Sequence, residues 1–484
     1  MDIGLLYPWN SHWDQSEVSP LVLAHPRPRA SVHYWVEDIL DPPADQWHVV
    51  AGPRQIGKTT GLGHVVRGLL DRGIAPRSIA FVPLDQPMVQ EAIRNDLDEL
   101  IRSLQTQHPP IKSAPLYLLL DEVQELDAWA KRLKAAWDQY RFTTRVLATG
   151  SSALRLIRPA DADFPGRIRV TTMHAMKFRE VLMEHPDRLQ HATRSEWDEL
   201  ERLARATRSL ITDPSRDEEF KAALLAIRGL VNATQPPLDP FIRSTFLNYA
   251  VFGGYPRARP GNAIAASERR AVFDQALNAV LAKDLPSIGV SKPREFTWLF
   301  SRLARNPGGK FVAHKVARQI EVKPTTVAHY KRILEDAILI SQLPALNPSL
   351  RPTNAKDKAY TNDPGWYAYF RGITDTTQVS DAELGFLVET VLVDHMRRLQ
   401  FNLTKTTTLP IGYVDAPEVD VALSIGTRWI LLEAKYRTNP KRAVSRIPSD
   451  DNALHMIATR SHFEIPRQAG EPYYVPAHLW ALLA

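Results

Sequence analysis

The sequence contains no cysteine. This absence excludes disulfide scaffolds, cysteine nucleophiles, iron–sulfur clusters and thiolate zinc sites, and it favours a reducing compartment, so we predict a cytoplasmic location. The 15 histidines show no H-E-x-x-H or similar spacing, so we expect no zinc. No run reaches the ~18 uncharged apolar residues of a membrane span, and the first residues lack the pattern of a secretory signal. We therefore expect no membrane association.

Neither sign of charge dominates the sequence, because 60 Lys and Arg oppose 54 Asp and Glu and give a formal net charge of +6. Such a balance permits a polyanionic partner without requiring one. Hydrophobic residues make up 44% of the chain, as in ordinary folded proteins, so extensive disorder is excluded. The 484 residues are enough for about three domains.

Short apolar runs alternate with helical patterns in the first third of the chain. Four of these runs predict parallel strands, at residues 47–52, 78–85, 116–122 and 145–150. Each run ends in a polar residue or glycine, and open parallel sheets bind ligands at the carboxyl ends of their strands. The pattern predicts an α/β domain.

Helical patterns and turns divide the rest of the chain. Residues 185–285 contain amphipathic, charged helical stretches, and residues 286–372 show three helical patterns followed by extended pieces, the order of a winged helix-turn-helix. After residue 373, a long helix precedes the strand-like runs VDVALSI and RWILLEAKY. We predict five segments: 1–45 amino-terminal, 46–184 core, 185–285 helical, 286–372 winged helix and 373–484 terminal α/β.

The segment 52–59 matches the pattern G-x-x-x-x-G-K-[ST] and lies between a predicted strand and a predicted helix. Backbone N–H groups of such a loop wrap phosphates, its lysine reaches the β and γ oxygens, and its hydroxyl ligates Mg²⁺. We expect ATP and Mg²⁺ here, with Lys58 catalytic and Thr59 a metal ligand. The predicted nucleotide contacts are Gly52, Pro53, Arg54, Gln55, Ile56, Gly57, Lys58, Thr59 and Thr60.

Asp121 and Glu122 end the apolar run LYLLLDE. In a phosphate-binding ATPase such a pair holds the metal through the aspartate and polarises the attacking water through the glutamate. A helix cap is the alternative. One of the hydroxyls of Thr149, Ser151 and Ser152, at the end of the next strand, is a candidate contact for the γ-phosphate, with an ordinary cap as the alternative. Arg167 is a candidate charge for the transition state, with a surface arginine as the alternative.

A second group of ionisable residues, Glu389, Asp420, Glu433 and Lys435, lies near the carboxyl end. Glu433 and Lys435 are two residues apart in a predicted strand and share one face, and Glu389 is the single charge in the helical run FLVETVLV. Two acids, a lysine and a helical glutamate can hold Mg²⁺, through Asp420 and Glu433, and activate water. We predict phosphodiester cleavage by these four residues. The alternative is a structural Glu–Lys pair.

The second helix of the predicted winged helix begins near residue 325. Its predicted buried face comprises Ala328, Ile333, Leu334 and Ile338. The predicted DNA contacts are Thr325, Thr326, His329 and Lys331. Neighbouring lysines, Lys358 among them, are predicted to follow the phosphate backbone. Domain packing is the alternative role of this element.

The segments GPRQIGKTT, LYLLLDEVQELDAW, ATGSSALRL, GGYPRA and ILLEAKYR, in that order, resemble the prokaryotic AAA-type ATPases of the STAND-like branch. The likeness spans about residues 28 to 440. It implies a P-loop ASCE-type parallel-sheet core with a helical lid, a winged helix-turn-helix, and a carboxy-terminal α/β domain of the restriction-endonuclease-like, PD-(D/E)XK type.

The resemblance also implies roles for particular residues. Lys58, Thr59, Asp121 and Glu122 match the nucleotide motifs of the family. Asp420, Glu433 and Lys435 match its nuclease signature, and Glu389 matches the acid of the first nuclease helix. Tyr255 and Pro256 match the element with which these ATPases contact nucleotide.

The leading hypothesis is a Mg²⁺-dependent ATPase that binds DNA, with the ATP state controlling a DNA-binding carboxy-terminal domain for which DNA cleavage is a further hypothesis. DNA repair, recombination or defence follows by analogy. The alternatives are a nucleotide-dependent switch or scaffold, and a ring-forming DNA translocase, each with a non-cleaving nuclease-like domain. Homo-oligomerisation is compatible with all of them.

Overall fold

The structure is a computed structural model. It describes residues 2–15, 19–93, 96–107, 115–150, 166–258, 265–285, 290, 292–404, 410–425, 428–436, 452–468 and 470–484. The chain forms two compact units. Unit 1 comprises Met1–His174, Ala276–Val290 and Asp336–Ile338, and unit 2 comprises Ala175–Gln275, Ser291–Glu335 and Leu339–Ala484. In the described ranges, no helix combines the length and the hydrophobicity needed to cross a lipid bilayer.

Unit 1 is built around a parallel sheet. Its strands are β1 (Trp47–Ala51), β2 (Ile79–Pro83), β3 (Leu116–Asp121), β4 (Thr144–Gly150) and β5 (Ile168–Thr172). Its helices are α1 (His12–Gln15), α2 (Pro20–Ala24), α3 (Ala30–Leu40), α4 (Lys58–Leu70), α5 (Pro87–Ile93), α6 (Leu97–Gln107) and α7 (Trp129–Tyr140). The strands pair in the order β2-β3-β4-β1-β5, and every pair is parallel.

The four predicted strands of unit 1 are confirmed. They are buried almost throughout, as apolar strands covered on both faces are. The fifth strand, β5, was not predicted. It is an edge strand with four of its five residues only partly buried, so its sequence IRVTT lacks a continuous apolar run.

The amino-terminal segment covers the opposite edge of this sheet. Asn10 donates to the Phe81 carbonyl at 2.8 Å and accepts from the Phe81 N–H at 2.7 Å. The Trp13 indole donates to the Ile79 carbonyl at 2.7 Å. These side chains satisfy backbone groups of β2 that a neighbouring strand would otherwise bond, and they protect the edge from pairing with another chain.

Unit 2 contains most of the remaining helices. They are α8 (Phe178–Met183), α9 (Arg188–His191), α10 (Arg194–Leu210), α11 (Asp217–Ala233), α12 (Leu238–Phe252), α13 (Ala266–Ala279), α14 (Pro293–Arg305), α15 (Ala313–Gln319), α16 (Pro324–Asp336), α17 (Gly365–Arg371), α18 (Asp381–Thr404) and α19 (Ala477–Leu483). The last residues of α13 and α16 are assigned to unit 1. Short non-α helical turns are Ile3–Trp9, Pro43–Asp45, Pro76–Ser78, Val123–Glu125, Pro214–Arg216, Val280–Asp284 and Thr376–Gln378.

Two sheets belong to unit 2. Their strands are β6 (Gly309–Lys310), β7 (Ile340–Leu343), β8 (Ala345–Leu346), β9 (Lys358–Thr361), β10 (Ile411–Val414), β11 (Val419–Ile425), β12 (Arg428–Lys435), β13 (Leu454–Thr459) and β14 (Tyr473–Pro476). A small antiparallel sheet has the order β6-β9-β7. The larger sheet has the order β14-β13-β12-β11-β10-β8, with β10 to β12 antiparallel and β13 and β14 parallel to β12.

Helix α16 differs from its prediction in length and in buried face. It ends at Asp336, and the sequence ILI continues into β7, because Ile338 adopts a φ of +58°, which no helix accommodates. Ala328 is exposed. Val327 and Tyr330 form the buried face with the predicted Ile333 and Leu334, whereas the buried Ile338 lies beyond the helix.

A buried carboxylate holds the turn that follows α12. Asp363 accepts from the Gly254 N–H at 2.7 Å and from the Gly365 N–H at 2.8 Å. Gly253 has a φ of +77°, and a Cβ there would lie 1.8 Å from an Asp363 oxygen, so only glycine fits. Burial raises the pKa of Asp363 to about 7, and the two N–H bonds partly oppose this rise.

We expect Asp363→Asn to reduce the pH dependence of the stability of unit 2. The folded pKa of about 7 lies above the ~3.9 of an unfolded aspartate, so between these values the native state holds a proton that the unfolded chain releases. Stability therefore falls as the pH rises from about 4 to about 7, and this contribution is constant above that. Thermal midpoints from pH 5 to pH 8 should fall more steeply for wild type than for the variant. Equal slopes would contradict this assignment.

Candidate functional site

The phosphate-loop sequence joins β1 to α4 in unit 1. Gly57, directly before the helix, has a φ of +89°, and a Cβ on Gly52 would lie 2.4 Å from the Met173 carbonyl oxygen. Both positions therefore require glycine. The loop ends at the amino terminus of a 13-residue helix, where N–H groups and the helix dipole favour phosphate.

Two basic side chains of this loop are placed to meet an anion. Lys58 is buried, and its ammonium donates to the carbonyls of Gly52 at 3.0 Å and Pro53 at 2.9 Å. The Arg54 Nε is buried and lacks a hydrogen-bond partner among the described residues. A buried donor of this kind is costly unless a ligand satisfies it. The loop therefore fits a phosphate group.

Asp121 meets two hydroxyls at the carboxyl end of β3. The Thr59 hydroxyl donates to one of its oxygens at 2.7 Å, and the Thr149 hydroxyl donates to the other. Burial raises the pKa of Asp121 to about 6, and both hydroxyl bonds act against that rise. Hydroxyl and carboxylate oxygens are the ligands that Mg²⁺ prefers, so Thr59 and Asp121 fit this ion. Ser151 and Ser152 lie outside the described residues.

Glu122 faces a cavity beside this carboxylate. Its backbone lies in the left-handed region, with a φ of +56°, and its side chain accepts from the Gln124 amide. Such conformations are costly for residues other than glycine and cluster at functional sites. The cavity has a volume of about 360 Å³ and is lined by Thr59, Asp121, Glu122 and, from the amino-terminal segment, His12. Water in this cavity can therefore reach Glu122 beside Thr59 and Asp121.

The other loop residues differ in what they can offer a nucleotide. The side chain of Ile56 is fully buried under Gly52, so only its backbone is available. Arg54, Gln55 and Thr60 are partly exposed. Gln55 has a φ of +68°, in the left-handed region.

The structure places Arg167 away from the phosphate loop. It immediately precedes β5, whose first residue pairs with Trp47 at the amino-terminal end of β1. The loop follows the other end of β1, about 16 Å away at ~3.3 Å per residue. The Arg167 guanidinium donates to Asp138 at 2.9 Å. The prediction that Arg167 supplies charge to the site of its own chain is therefore wrong.

The structure also corrects the prediction for Tyr255. Its ring is buried in unit 2, with ring centroids 5.0 Å from Phe273 and 6.0 Å from Trp366. It is a core residue and offers no ring surface to a nucleotide. Pro256 is partly buried in the turn that follows.

The terminal carboxylates come together on the larger sheet of unit 2. Val421 of β11 lies opposite Leu432 of β12, and this register brings Asp420 beside Glu433. The Lys435 ammonium lies 2.7 Å from Glu433 and 2.6 Å from Glu418. Glu433 and Lys435 therefore share a face, as their spacing predicts.

Two residues of β9 complete this cluster. The Lys358 ammonium lies 3.2 Å from Glu389 and 3.6 Å from Asp420, and the Tyr360 hydroxyl donates to Glu389 at 2.6 Å. The prediction that Lys358 follows a DNA backbone is wrong for this structure. Tyr360 and Glu418 were not among the predicted site residues, although Tyr360 alternates with Lys358 along β9 and Glu418 lies in the turn two residues before Asp420 of β11. We refer to Lys358, Tyr360, Glu389, Glu418, Asp420, Glu433 and Lys435 as the carboxylate cluster.

Burial and mutual repulsion perturb the acids of the carboxylate cluster. Burial raises the pKa of Asp420 to about 7, the Glu389 charge adds to the rise, and Lys358 opposes it. Burial also raises the pKa of Glu433, against the hydrogen bond from Lys435. Among the described residues, no three acids or histidines are placed to hold a metal ion. The cluster in this arrangement therefore does not fit a divalent cation, because lysine ammonium groups lie between its carboxylates.

The environment of Glu389 also differs from the sequence pattern. Phe386, three residues before Glu389 on α18, is 50% exposed although it belongs to the apolar run FLVETVLV. The residues of α18 that pack in the core near Glu389 are Leu387, Val388, Val391 and Leu392.

The predicted DNA contacts lie at the start of α16. Thr325 and His329 are exposed and Thr326 is partly exposed. Lys331 differs, because its ammonium donates to the Gln342 side chain and lies 4.6 Å from the centre of the Phe311 ring. Burial lowers the pKa of Lys331. Three of the four residues are therefore available to a partner.

Comparison with known proteins now adds to this geometry. Residues 44–182 match the family model described as an AAA domain. This part of the chain is a P-loop ATPase domain of the AAA type. Residues 243–377 match a second family model, a domain of unknown function.

Among curated proteins, an uncharacterised protein of Haemophilus influenzae is 27% identical over 137 residues, 28% of this chain and 32% of the relative. The chain thus matches about a third of that relative.

Several solved structures match this chain at low similarity. The Walker-type ATPase of Pyrococcus abyssi has a TM-score of 0.34 and 12% identity, covering 71% of this chain and 98% of that one. AMPPCP-bound DnaA of Aquifex aeolicus has a TM-score of 0.23 and 14% identity, with coverage of 63% and 87%. The ORC1 protein of Aeropyrum pernix in complex with DNA has a TM-score of 0.27 and 11% identity, with coverage of 71% and 91%. At these scores the similarity does not bear on function.

Proposed function

We propose that this protein is a Mg²⁺-dependent ATPase whose nucleotide state governs a DNA-binding unit 2. The hydrogen bond of 2.7 Å between Thr59 and Asp121, beside the phosphate loop, is the observation on which this proposal rests. Thr59 and Asp121 would hold Mg²⁺, which neutralises charge on the phosphates when bound. Lys58 exchanges its carbonyl partners for phosphate oxygens, and Glu122 orients the attacking water.

Control by nucleotide is supported by the segment 173–178, which passes from one unit to the other. In unit 1, the Met173 N–H donates to the Ala51 carbonyl at 2.8 Å. Arg29 donates to the carbonyls of His174 at 2.8 Å and of Ile56, in the phosphate loop, at 3.2 Å. A change in the loop on nucleotide binding would therefore act on the start of this segment.

In unit 2, the same segment is bonded to α18. Arg398 donates to the Ala175 carbonyl at 2.6 Å, and the Phe178 N–H donates to His395 at 3.2 Å. Helix α18 also provides Glu389 to the carboxylate cluster. The segment is thus held by the phosphate loop in unit 1 and by the helix of the cluster in unit 2, a continuous route for coupling.

DNA binding is supported by the order of elements between residues 293 and 361. The order α14, β6, α15, α16, β7, β9, with β8 of the larger sheet between the last two strands, resembles that of a winged helix, and α16 corresponds to the recognition helix of such folds. Thr325, Thr326 and His329 remain accessible there. We propose that they contact DNA.

We test DNA binding with a fluorescent duplex in fluorescence anisotropy, with and without ATP and Mg²⁺. His329→Glu should weaken binding at least tenfold, because it places a negative charge against phosphates. Glu268→Ala on an exposed part of α13 is the matched control and should bind as wild type does. Lys58→Ala should bind DNA without responding to ATP. Absence of binding by wild type in both nucleotide states would disprove the DNA part of the proposal and leave the ATPase part intact.

A second candidate function, DNA cleavage, is favoured by the carboxylate cluster. Plasmid, linear, branched and single-stranded DNA are incubated with wild type and with Glu433→Ala, in Mg²⁺ or Mn²⁺ with ATP. Cleavage by wild type and its loss in the variant are expected. DNA-stimulated ATP hydrolysis without cleavage would instead favour a binding surface that does not cut.

A further inference from the structure

We propose that Lys358 is the resident cation of the carboxylate cluster, and that a divalent cation binds there only after its ammonium has left. This inference rests on the proposed function, since it takes the cluster for the site that acts on DNA. The carboxylate cluster contains residue types that suit a metal ion, but their arrangement does not fit one. The position of the Lys358 ammonium accounts for this difference.

The position of the ammonium is the main reason for this proposal. It lies between Glu389 on α18 and Asp420 on β11, which come from different elements and have no other cation between them among the described residues. The centre of the Tyr413 ring lies 5.0 Å away, within cation–π distance. The Lys358 side chain is only 16% exposed, so it is a built part of the cluster rather than a surface lysine.

The charge balance of the cluster explains why a divalent cation must replace the Lys358 ammonium rather than bind beside it. The cluster contains four acids, Glu389, Glu418, Asp420 and Glu433, and two lysines, Lys358 and Lys435. Glu389 and Asp420 are largely buried, and buried carboxylates that lie close together repel one another unless a cation lies between them. Removal of the Lys358 ammonium leaves Glu389 and Asp420 facing each other, and a divalent cation can then bind their oxygens.

Lys358 belongs to β9, the central strand of the small sheet. On β9 it pairs with Lys310 of β6 and Leu343 of β7, the other strands of the small sheet. That sheet belongs to the proposed winged helix. DNA binding by this element would therefore act on the strand that holds the Lys358 ammonium between the acids.

We test this with Mn²⁺ titrations of the full chain by isothermal titration calorimetry, in the absence of nucleotide. Lys358→Met should bind Mn²⁺ at least tenfold more tightly than wild type. Lys310→Met is the matched control, since Lys310 faces Lys358 across β6 and β9 but pairs with the exposed Asp415 at 2.8 Å. It should bind Mn²⁺ as wild type does. Adding Asp420→Asn to Lys358→Met should abolish the gain, which would place the ion in the cluster.

Circular dichroism verifies folding, and Lys358→Gln serves if the methionine variant does not fold. It also lacks the charge and should show the same gain. If wild type and the charge-free variant bind Mn²⁺ with equal, measurable affinity, the role of Lys358 is overturned, but the cluster can still be a cation site. If neither binds Mn²⁺, the cluster is not a cation site, and the cleavage candidate fails with it. ATP hydrolysis by wild type is measured separately and would be unaffected in either case.

Discussion

Glu122→Gln should leave ATP binding intact and lower the rate of ATP hydrolysis by about 10² to 10⁴-fold, the usual contribution of a general base. The amide has nearly the same shape as the carboxylate, so the contact with Gln124 and the cavity beside Asp121 are retained. The amide cannot accept a proton from the attacking water. Phosphate release and binding of a fluorescent ATP analogue, measured on the same preparation, separate the two effects.

The control for this substitution lies in the same turn. Glu125→Gln changes a partly buried acid three residues away and should hydrolyse ATP as wild type does. Lys58→Ala should lose both binding and hydrolysis, because the ammonium that meets the phosphates is gone. Hydrolysis by Glu122→Gln at the wild-type rate would exclude Glu122 as the base.

Arg398→Met should destabilise unit 2 by about 3–5 kcal/mol, the usual effect of removing one partner of a buried ion pair. The Arg398 guanidinium forms two bonds to Asp394, at 3.0 Å and 2.8 Å, and a third to the Ala175 carbonyl. The variant leaves the Asp394 carboxylate buried without this cation. Urea-induced unfolding followed by circular dichroism measures the loss.

An exposed ion pair on unit 2 is the matched control. Arg371 pairs with Glu383 at 3.0 Å, and its side chain is 49% exposed. Arg371→Met should change stability by about 0–1 kcal/mol, as exposed pairs do. Equal losses in the two variants would mean that burial of the Arg398 pair has no special effect on stability.

Local patterns sufficed for the elements around the nucleotide site. Strands β1 to β4 are covered on both faces. Strands buried in this way consist almost entirely of apolar residues, so the apolar runs of the sequence are enough to predict them. Gly57 follows from its own positive φ, whereas Gly52 is required by the Met173 carbonyl of a distant segment, which would lie 2.4 Å from a Cβ there. By contrast, β5 is a partly exposed edge strand, and its short mixed sequence does not separate it from a loop.

Neighbours along one element were enough to predict the phosphate loop, the acids at the end of β3 and the shared face of Glu433 and Lys435. The position of Arg167 at the far end of the sheet needed the three-dimensional structure, since strand order is set by pairing between distant segments. The three-dimensional structure alone also placed Lys358 of β9 between Glu389 and Asp420. Periodicity reports which side of an element is buried, whereas the partner that meets a buried charge is set by the packing of elements distant in the chain.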